Sequence, residues 1–228
     1  MESNAAALKS KGFFQQVQEA MFSLRLCSSG GTLSAAYVRS AVAIAETYGA
    51  GQIHLTTRQQ IEIPFIPAEK VASVQRVLEE ADIKTFIGGP RARTVAACLG
   101  SAVCKFGKIE TSGLAREIHQ KYFGRELPAK LKIAVTGCKN NCARIEANDI
   151  GIRGADEGYV LYFGGCFGHE TRVGKPLLPA LAAREDALNV LEAGVDFFAH
   201  NAAKGERLGK LIERVGPEAF RKILEKAL

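Results

Sequence analysis

Two cysteine pairs restrict what this chain can fold into more than any other feature. Cys98 and Cys104 stand in ACLGSAVCKFG, and Cys138 and Cys142 stand in TGCKNNC. One pair is spaced C-x5-C, the other C-x3-C, and both are flanked by glycine. Cluster ligands are thiolates on loops that turn tightly around a metal–sulfide core, and Gly100, Gly107 and Gly137 allow such turns and close backbone approach. Asn140 and Asn141 tolerate left-handed backbone and can donate amide hydrogen bonds to cluster sulfides. Zinc knuckles favour spacings of roughly two to four residues, so C-x5-C suits zinc poorly. Spacing therefore favours a four-cysteine [4Fe–4S] site over zinc. The segment MESNAAALKSKGFFQQ has no apolar signal core, and no apolar run reaches membrane-spanning length. A cytoplasmic location is the expectation. Thiols stay reduced there, and six cysteines then argue for metal or catalysis over disulfides. Cys27, on a predicted strand, reads as a small buried hydrophobe.

Around these loops the pattern predicts α+β architecture. FSLRLC (22–27) alternates as a strand, SSGG turns, and Thr32 is placed to cap a helix over 33–48, where Leu33, Tyr37, Ile44 and Tyr48 recur at helical spacing. IHLTT (53–57) and IEIPFI (61–66) read as strands. Pro67 suits a first helical turn, and Val71, Val74, Leu78 and Ala81 form the buried stripe of the next helix. Residues 22–87 thus outline a β-α-β-β-α-β unit of ferredoxin-like type. GGPRAR (88–93) marks the expected boundary, giving domains 1–87 and 88–228. Beyond it the pattern predicts a strand near 94–97, a helix near 112–123, LKIAV as a buried strand, strands near 150–153 and 159–163, and helices at 183–194, 206–214 and 217–227.

The joint order of LTTRQ (55–59), R-x-V-x-x-C (93–98), C-x5-C, LP-x-K-x-K (127–132), TGC-x-N-x-C (136–142), DIG (149–151) and GG-x-x-G (164–168) resembles the sirohaem-containing sulfite and nitrite reductases over nearly the whole chain. The resemblance implies a ferredoxin-like half-domain followed by a sirohaem and iron–sulfur domain. It implies a [4Fe–4S] cluster on Cys98, Cys104, Cys138 and Cys142, with Cys142 bridging to the sirohaem iron. It also implies Arg58, Arg93, Lys130 and Lys132 as the cations that hold the substrate anion. Arg suits that task because it stays charged, and Lys can also supply protons. LPAKLK, read as strand, places Lys130 and Lys132 on one face. Gly164 and Gly165 in GGCFG are expected to pass close to a flat macrocycle, the alternative being an ordinary hairpin turn. Cys166 matches no ligand position, and the four histidines share no motif spacing. Lys139 departs from the proline that family members usually carry there, and adds a cation beside the cluster.

The bulk numbers agree with such a protein. A chain of 228 residues, 47% hydrophobic and 24% charged, can bury a real core. The net charge of +6 is modest and scattered, which argues against nucleic acid and suits a polycarboxylate cofactor, an anionic substrate or an acidic electron donor. The expected activity is six-electron reduction of sulfite to sulfide with a ferredoxin-like donor, since no flavin or nucleotide motif is present. Nitrite reduction to ammonium, or a non-catalytic iron–sulfur subunit, are the alternatives. Larger family members hold the two-domain unit twice and this chain holds it once, so a symmetric homodimer could rebuild the doubled arrangement.

Overall fold

The structure is a computed structural model and describes residues 7–228. The chain divides into two compact units between Gly89 and Pro90.

In the first unit a four-stranded antiparallel sheet carries two helices. The strands are β1 (Phe13–Gln15), β2 (Met21–Arg25), β3 (His54–Leu55) and β4 (Ile61–Pro67), in the order β1-β2-β4-β3. Helix α1 (Ala35–Tyr48) connects β2 to β3, and α2 (Val71–Glu80) follows β4. A fourth ferredoxin-like strand is reduced to a single bridge, Leu26 to Thr85, beside the end of β2. One sheet face supplies Leu24, Ile63 and Ile66, and the helices supply Ile44, Val74 and Leu78, to one apolar cluster. Burial of side chains of this size contributes roughly 1.5–3 kcal/mol each before entropy is charged against it.

Three local expectations change. Ser34, not Thr32, caps α1, its hydroxyl accepting from the Tyr37 amide at 3.1 Å. The 53–57 strand shrinks to two exposed residues because Thr56 starts a turn. Its Oγ1 accepts from the Arg58 and Gln60 amides at 3.3 and 3.1 Å, and Gln59 takes a left-handed φ of 62°. The edge strand β1 was not predicted, since FFQ is too short to show alternation. Its partner β2 reveals it through the pairs Phe13–Leu24 and Gln15–Phe22.

The second unit is built on a mixed sheet, β5 (Ala96–Ala97), β6 (Ile133–Thr136), β7 (Ile150–Ala155), β8 (Gly158–Phe163) and β9 (Lys175–Pro176), hydrogen-bonded in that order. The β5–β6 and β6–β7 pairs are parallel, and the β7–β8 and β8–β9 pairs are antiparallel. Helices α3 (Ser112–Tyr122), α4 (Arg184–Asn201), α5 (Leu208–Val215) and α6 (Pro217–Glu225) enclose it. All four residues of β6 are buried, the signature of an interior parallel strand. One core runs from Leu114 and Ile118 on α3 through Ile133 and Ile152 to Val195, Phe198 and Phe220.

Candidate functional site

Sheet topology explains why the two cysteine pairs meet. Cys98 directly follows β5, and Gly137 and Cys138 directly follow β6. These strands are parallel neighbours, with Ala97 opposite Val135, so both loops leave the same edge of the sheet. The Cys98 amide still donates to Val135 O at 3.2 Å, and the Lys108 amide closes the other side onto Gly137 O at 2.7 Å.

The first loop winds tightly. The Cys104 amide donates to Gly100 O at 2.8 Å, the Gly107 amide to Cys104 O at 2.9 Å, and the Ser101 amide to Ile109 O at 2.9 Å. Gly100 adopts a left-handed φ of 61°. The buried Thr111 hydroxyl donates to Cys98 O and ties the loop to α3. The second loop presses on the first backbone to backbone: a Cβ on Gly137 would lie 2.9 Å from Gly100 Cα. The Gly137 amide points at Cys98 Sγ, 3.1 Å away. A backbone N–H aimed at sulfur is the kind of contact that orients a metal-ligating cysteine.

Cys138 is buried and Cys98 partly so, while Cys104 and Cys142 are exposed. Among the described residues no three His, Cys, Asp or Glu side chains converge as a single metal ion would require. A four-iron cluster makes a different demand, because its thiolates stand at separate corners of a cube. Two glycine-tightened loops from adjacent strand ends, with a backbone donor already turned to one sulfur, fit that demand.

The TGCKNNC turn uses its asparagines differently from the expectation. Asn141 does take a left-handed φ of 52°, as does Arg144 at 49°. Its amide nitrogen, however, donates to the Glu146 carboxylate, and its Oδ1 accepts from the Ile145 amide at 2.9 Å. That side chain helps to shape its own loop. Asn140 remains exposed beside Cys138 on the wall of a cavity of about 510 Å³.

The candidate cations fall into two groups. Arg58 lies in the first unit, half-buried, in the turn that Thr56 closes. Arg93, Lys130 and Lys132 lie together in the second. Ala92 and Leu131 form a parallel bridge, and the Arg93 amide donates to Leu131 O at 2.8 Å. Both bridging residues are buried, at 1% and 0% exposure, so their neighbours Arg93, Lys130 and Lys132 turn to the opposite face. The two lysines precede β6 instead of lying on it, and they flank the buried bridge residue Leu131.

What holds that segment in place is a buried ion pair that the sequence did not announce. Asp149 of the DIG motif is fully buried. It accepts from the Lys132 amide at 2.7 Å and from both arms of the Arg207 fork, Nε at 2.9 Å and NH2 at 2.7 Å. Its own carbonyl accepts from the Gly164 amide at 2.8 Å. Burial pushes the Asp149 carboxyl above the usual carboxylate range, opposed by the guanidinium and the Lys132 amide. Arg207 is held in its charged form by the same carboxylate. No motif flags Arg207 in NAAKGERLG; the only sequence signal was an acidic residue placed before the apolar strand β7.

GGCFG proves to be a hairpin excursion, in which Cys166 and Arg172 exchange both backbone hydrogen bonds at 2.9 and 2.7 Å. Its first two glycines pack closely against the protein. A Cβ on Gly165 would stand 2.0 Å from Glu146 O, and one on Gly164 would meet Gly209 at 3.4 Å.

Cys27 lies outside this arrangement, in the first unit. Burial pushes its thiol up to about 12. Iodoacetamide on the apo-protein at pH 8 is expected to label Cys104 and Cys142 within minutes and Cys27 only after unfolding, as read by peptide mass spectrometry. Labelling of Cys27 at the rate of the exposed pair would contradict its burial.

Comparisons with known proteins follow the same division. The profile described as "Nitrite and sulphite reductase 4Fe-4S domain" matches residues 88–228, and that described as "Nitrite/Sulfite reductase ferredoxin-like half domain" matches residues 14–81. The assimilatory-type sulfite reductase of Nitratidesulfovibrio vulgaris is 34% identical over 127 residues, 56% of this chain and 58% of that protein. The nitrite reductase [NAD(P)H] of Bacillus subtilis is 29% identical over 196 residues, 86% of this chain and 24% of that protein. Among solved structures, dissimilatory sulfite reductase I superposes with a TM-score of 0.80 at 16% identity, covering 90% of this chain and 69% of that one. Mycobacterium tuberculosis NirA superposes with a TM-score of 0.82 at 21% identity, covering 96% and 45%. The chain thus spans about a quarter to just over half of these two curated relatives.

Proposed function

Because the chain belongs to the nitrite and sulphite reductase 4Fe-4S family, whose domain implies an iron–sulfur cluster, we propose that it reduces sulfite to sulfide at a sirohaem coupled to a [4Fe–4S] cluster. The observation that carries this reading is the meeting of the two cysteine loops at the ends of β5 and β6, with the Gly137 amide directed at Cys98 Sγ. Cys98, Cys104, Cys138 and Cys142 would hold the cluster, and Cys142 would face the haem iron. When bound, the pair supplies electrons singly to the substrate's central atom.

The chain's own groups do the rest. Arg93, Lys130 and Lys132 share one face and gather positive charge where an oxyanion can be held. Arg58 is proposed to add a fourth cation. The lysines can donate protons to the oxygens that leave as water, and each lysine is then recharged from solvent. Asp149 and Arg207 keep the Lys132 backbone in its place. Sulfite leads over nitrite as the substrate; the Bacillus subtilis relative, a nitrite reductase, makes nitrite the comparison to run.

The test is anaerobic purification, followed by the visible spectrum, iron and sulfide counts, and steady-state release of sulfide against ammonium. Stoichiometric zinc without a chromophore would refute the cofactor reading, and a higher efficiency on nitrite would replace sulfite. Arg58→Ala and Arg93→Ala are expected to keep both chromophores and lose an order of magnitude or more in turnover. Losing a charge-assisted contact is worth roughly 1.5–3 kcal/mol. Unchanged kinetics on both anions would remove these residues from the site.

A further inference from the structure

A cavity of about 370 Å³ lies where the end of β8, β9, α5 and the start of α6 meet. None of the four proposed cluster cysteines and none of the candidate cations lines it. Its back wall is preformed. Phe163 is 3% exposed and meets Phe220 edge-on, with ring centroids 5.4 Å apart. Gly164 and Gly209 press backbone to backbone, since a Cβ on Gly209 would stand 2.4 Å from Gly164 O. Leu177, Ile212 and Pro217 complete an apolar lining. The charged lining is Arg172, Lys175 and Glu213. Arg172 is fully engaged: its Nε and NH2 donate to Glu213 at 2.8 and 3.3 Å, and its NH1 to Glu170 at 2.5 Å. The same two carboxylates hold the guanidinium in its charged form. Glu213 is thereby committed as well. Lys175 is exposed on β9 and makes no ion pair among the described residues. One uncompensated positive charge thus stands beside an apolar hollow.

We propose that this cavity binds a small monocarboxylic acid with an aromatic or branched apolar body, its carboxylate on Lys175. The volume lies in the range of small-molecule sites, and an apolar lining with one placed polar group is their usual make-up. Charge selects the class of ligand. A phosphate or a dicarboxylate brings more negative charge than one free lysine can meet, and an uncharged molecule leaves that lysine unused. The apolar body would cover Leu177, Ile212 and Pro217, which the cavity otherwise leaves to water. Occupancy also has a route to the rest of the unit. The Gly164 amide donates to Asp149 O at 2.8 Å, and Arg207, which holds the Asp149 carboxylate, lies just before Gly209 on the chain. A molecule packed against Gly164 and Gly209 braces the ion pair that seats the Lys132 backbone. The acid is therefore a stabilising ligand of the second unit and not its substrate.

The test is isothermal titration of the protein as purified, with phenylacetate, isovalerate and indole-3-acetate as probes and 2-phenylethanol as the uncharged control. At least one acid is expected to bind saturably at millimolar concentration or below. Lys175→Gln is expected to weaken that acid about tenfold, the loss of one charge-assisted contact, and to leave 2-phenylethanol unaffected. Lys175→Arg should restore the acid. Val173→Trp, at a lining position that is 59% exposed, should fill the mouth and block both. Lys175 and Val173 are both exposed, so these variants are expected to fold as the wild type does. No saturable binding by any of the three acids overturns the proposal, as does an acid that binds Lys175→Gln as tightly as wild type. Loss of a tetrapyrrole band in Lys175→Gln also overturns it, since the lysine would then hold a cofactor's carboxylate. So does a dimer, seen by light scattering, that the acid or Val173→Trp dissociates, since a partner's side chain would then fill the cavity. No turnover is measured, so the result stands apart from whether the protein reduces sulfite.

Discussion

Cys142→Ser should abolish both chromophores together. Cys142 is the second thiol of the C-x3-C turn and is exposed at the mouth of the loop. Under the proposed function it is shared between the cluster and the haem iron. Serine keeps the size and removes the soft, readily ionised sulfur that an iron–sulfur centre needs. The expected protein is folded and close to colourless, with iron falling from cluster stoichiometry toward zero. Cys27→Ser is the matched control and should keep full colour, because the buried thiol at that position lies in the first unit. A Cys142→Ser protein with an intact red band and full sulfide release would show that another group bridges the two cofactors.

Removing Arg207 should produce the largest loss of stability available from one polar side chain. Arg207→Ala leaves the Asp149 carboxylate fully buried with only the Lys132 amide as a donor. Breaking one side of a buried pair costs about 3–5 kcal/mol, on the order of 10 °C in Tm for a unit of this size. The pH dependence has a definite sign. Without the guanidinium, burial is opposed only by Lys132 and holds the folded-state pKa of Asp149 further above the unfolded value. The folded state then binds the proton more tightly, so the variant should recover stability as pH falls and lose it as pH rises. Asp149→Asn in the same background should restore part of the loss at neutral pH by removing the charge. Denaturant titrations at pH 5 and pH 8 decide the matter. A deficit independent of pH would mean that Arg207 acts by packing alone.

How much of this was legible beforehand depended on range. Helix periodicity marked α1, α2 and α3 because each buries one face against a sheet, and the uninterrupted apolar run LKIAV showed β6 because both its faces are covered. The cysteine loops were visible because their chemistry is local: ligand and glycine sit within a few residues of each other. β1 and β9 were hidden, since strands of three and two residues are specified by their partners. The cap at Ser34 was misplaced by two residues because Thr32 and Ser34 carry the same chemistry. The hydrogen bond from Asn141 to a carboxylate five residues on was not foreseen, because the sequence does not say which turn partner an asparagine takes. The pair of Asp149 and Arg207 spans 58 residues, and nothing local can report a contact at that distance.

That span also sets a schedule for synthesis. Lys132, Asp149 and Gly164 leave the ribosome long before Arg207, and until it emerges the carboxylate has no counter-charge. Burying it in the interim would leave an unpaired carboxylate in a dry interior, so ordering of the segment bearing Lys130 and Lys132 is disfavoured while α4 is being made. The first unit, complete by Gly89, is free to close at once. A nascent chain that has not yet received Arg207 is therefore expected to have a finished first unit and a less stable second sheet. A late-arriving arginine acts as the latch on the second unit, and it ties the ordering of its proposed anion face to the arrival of a residue 58 positions further along.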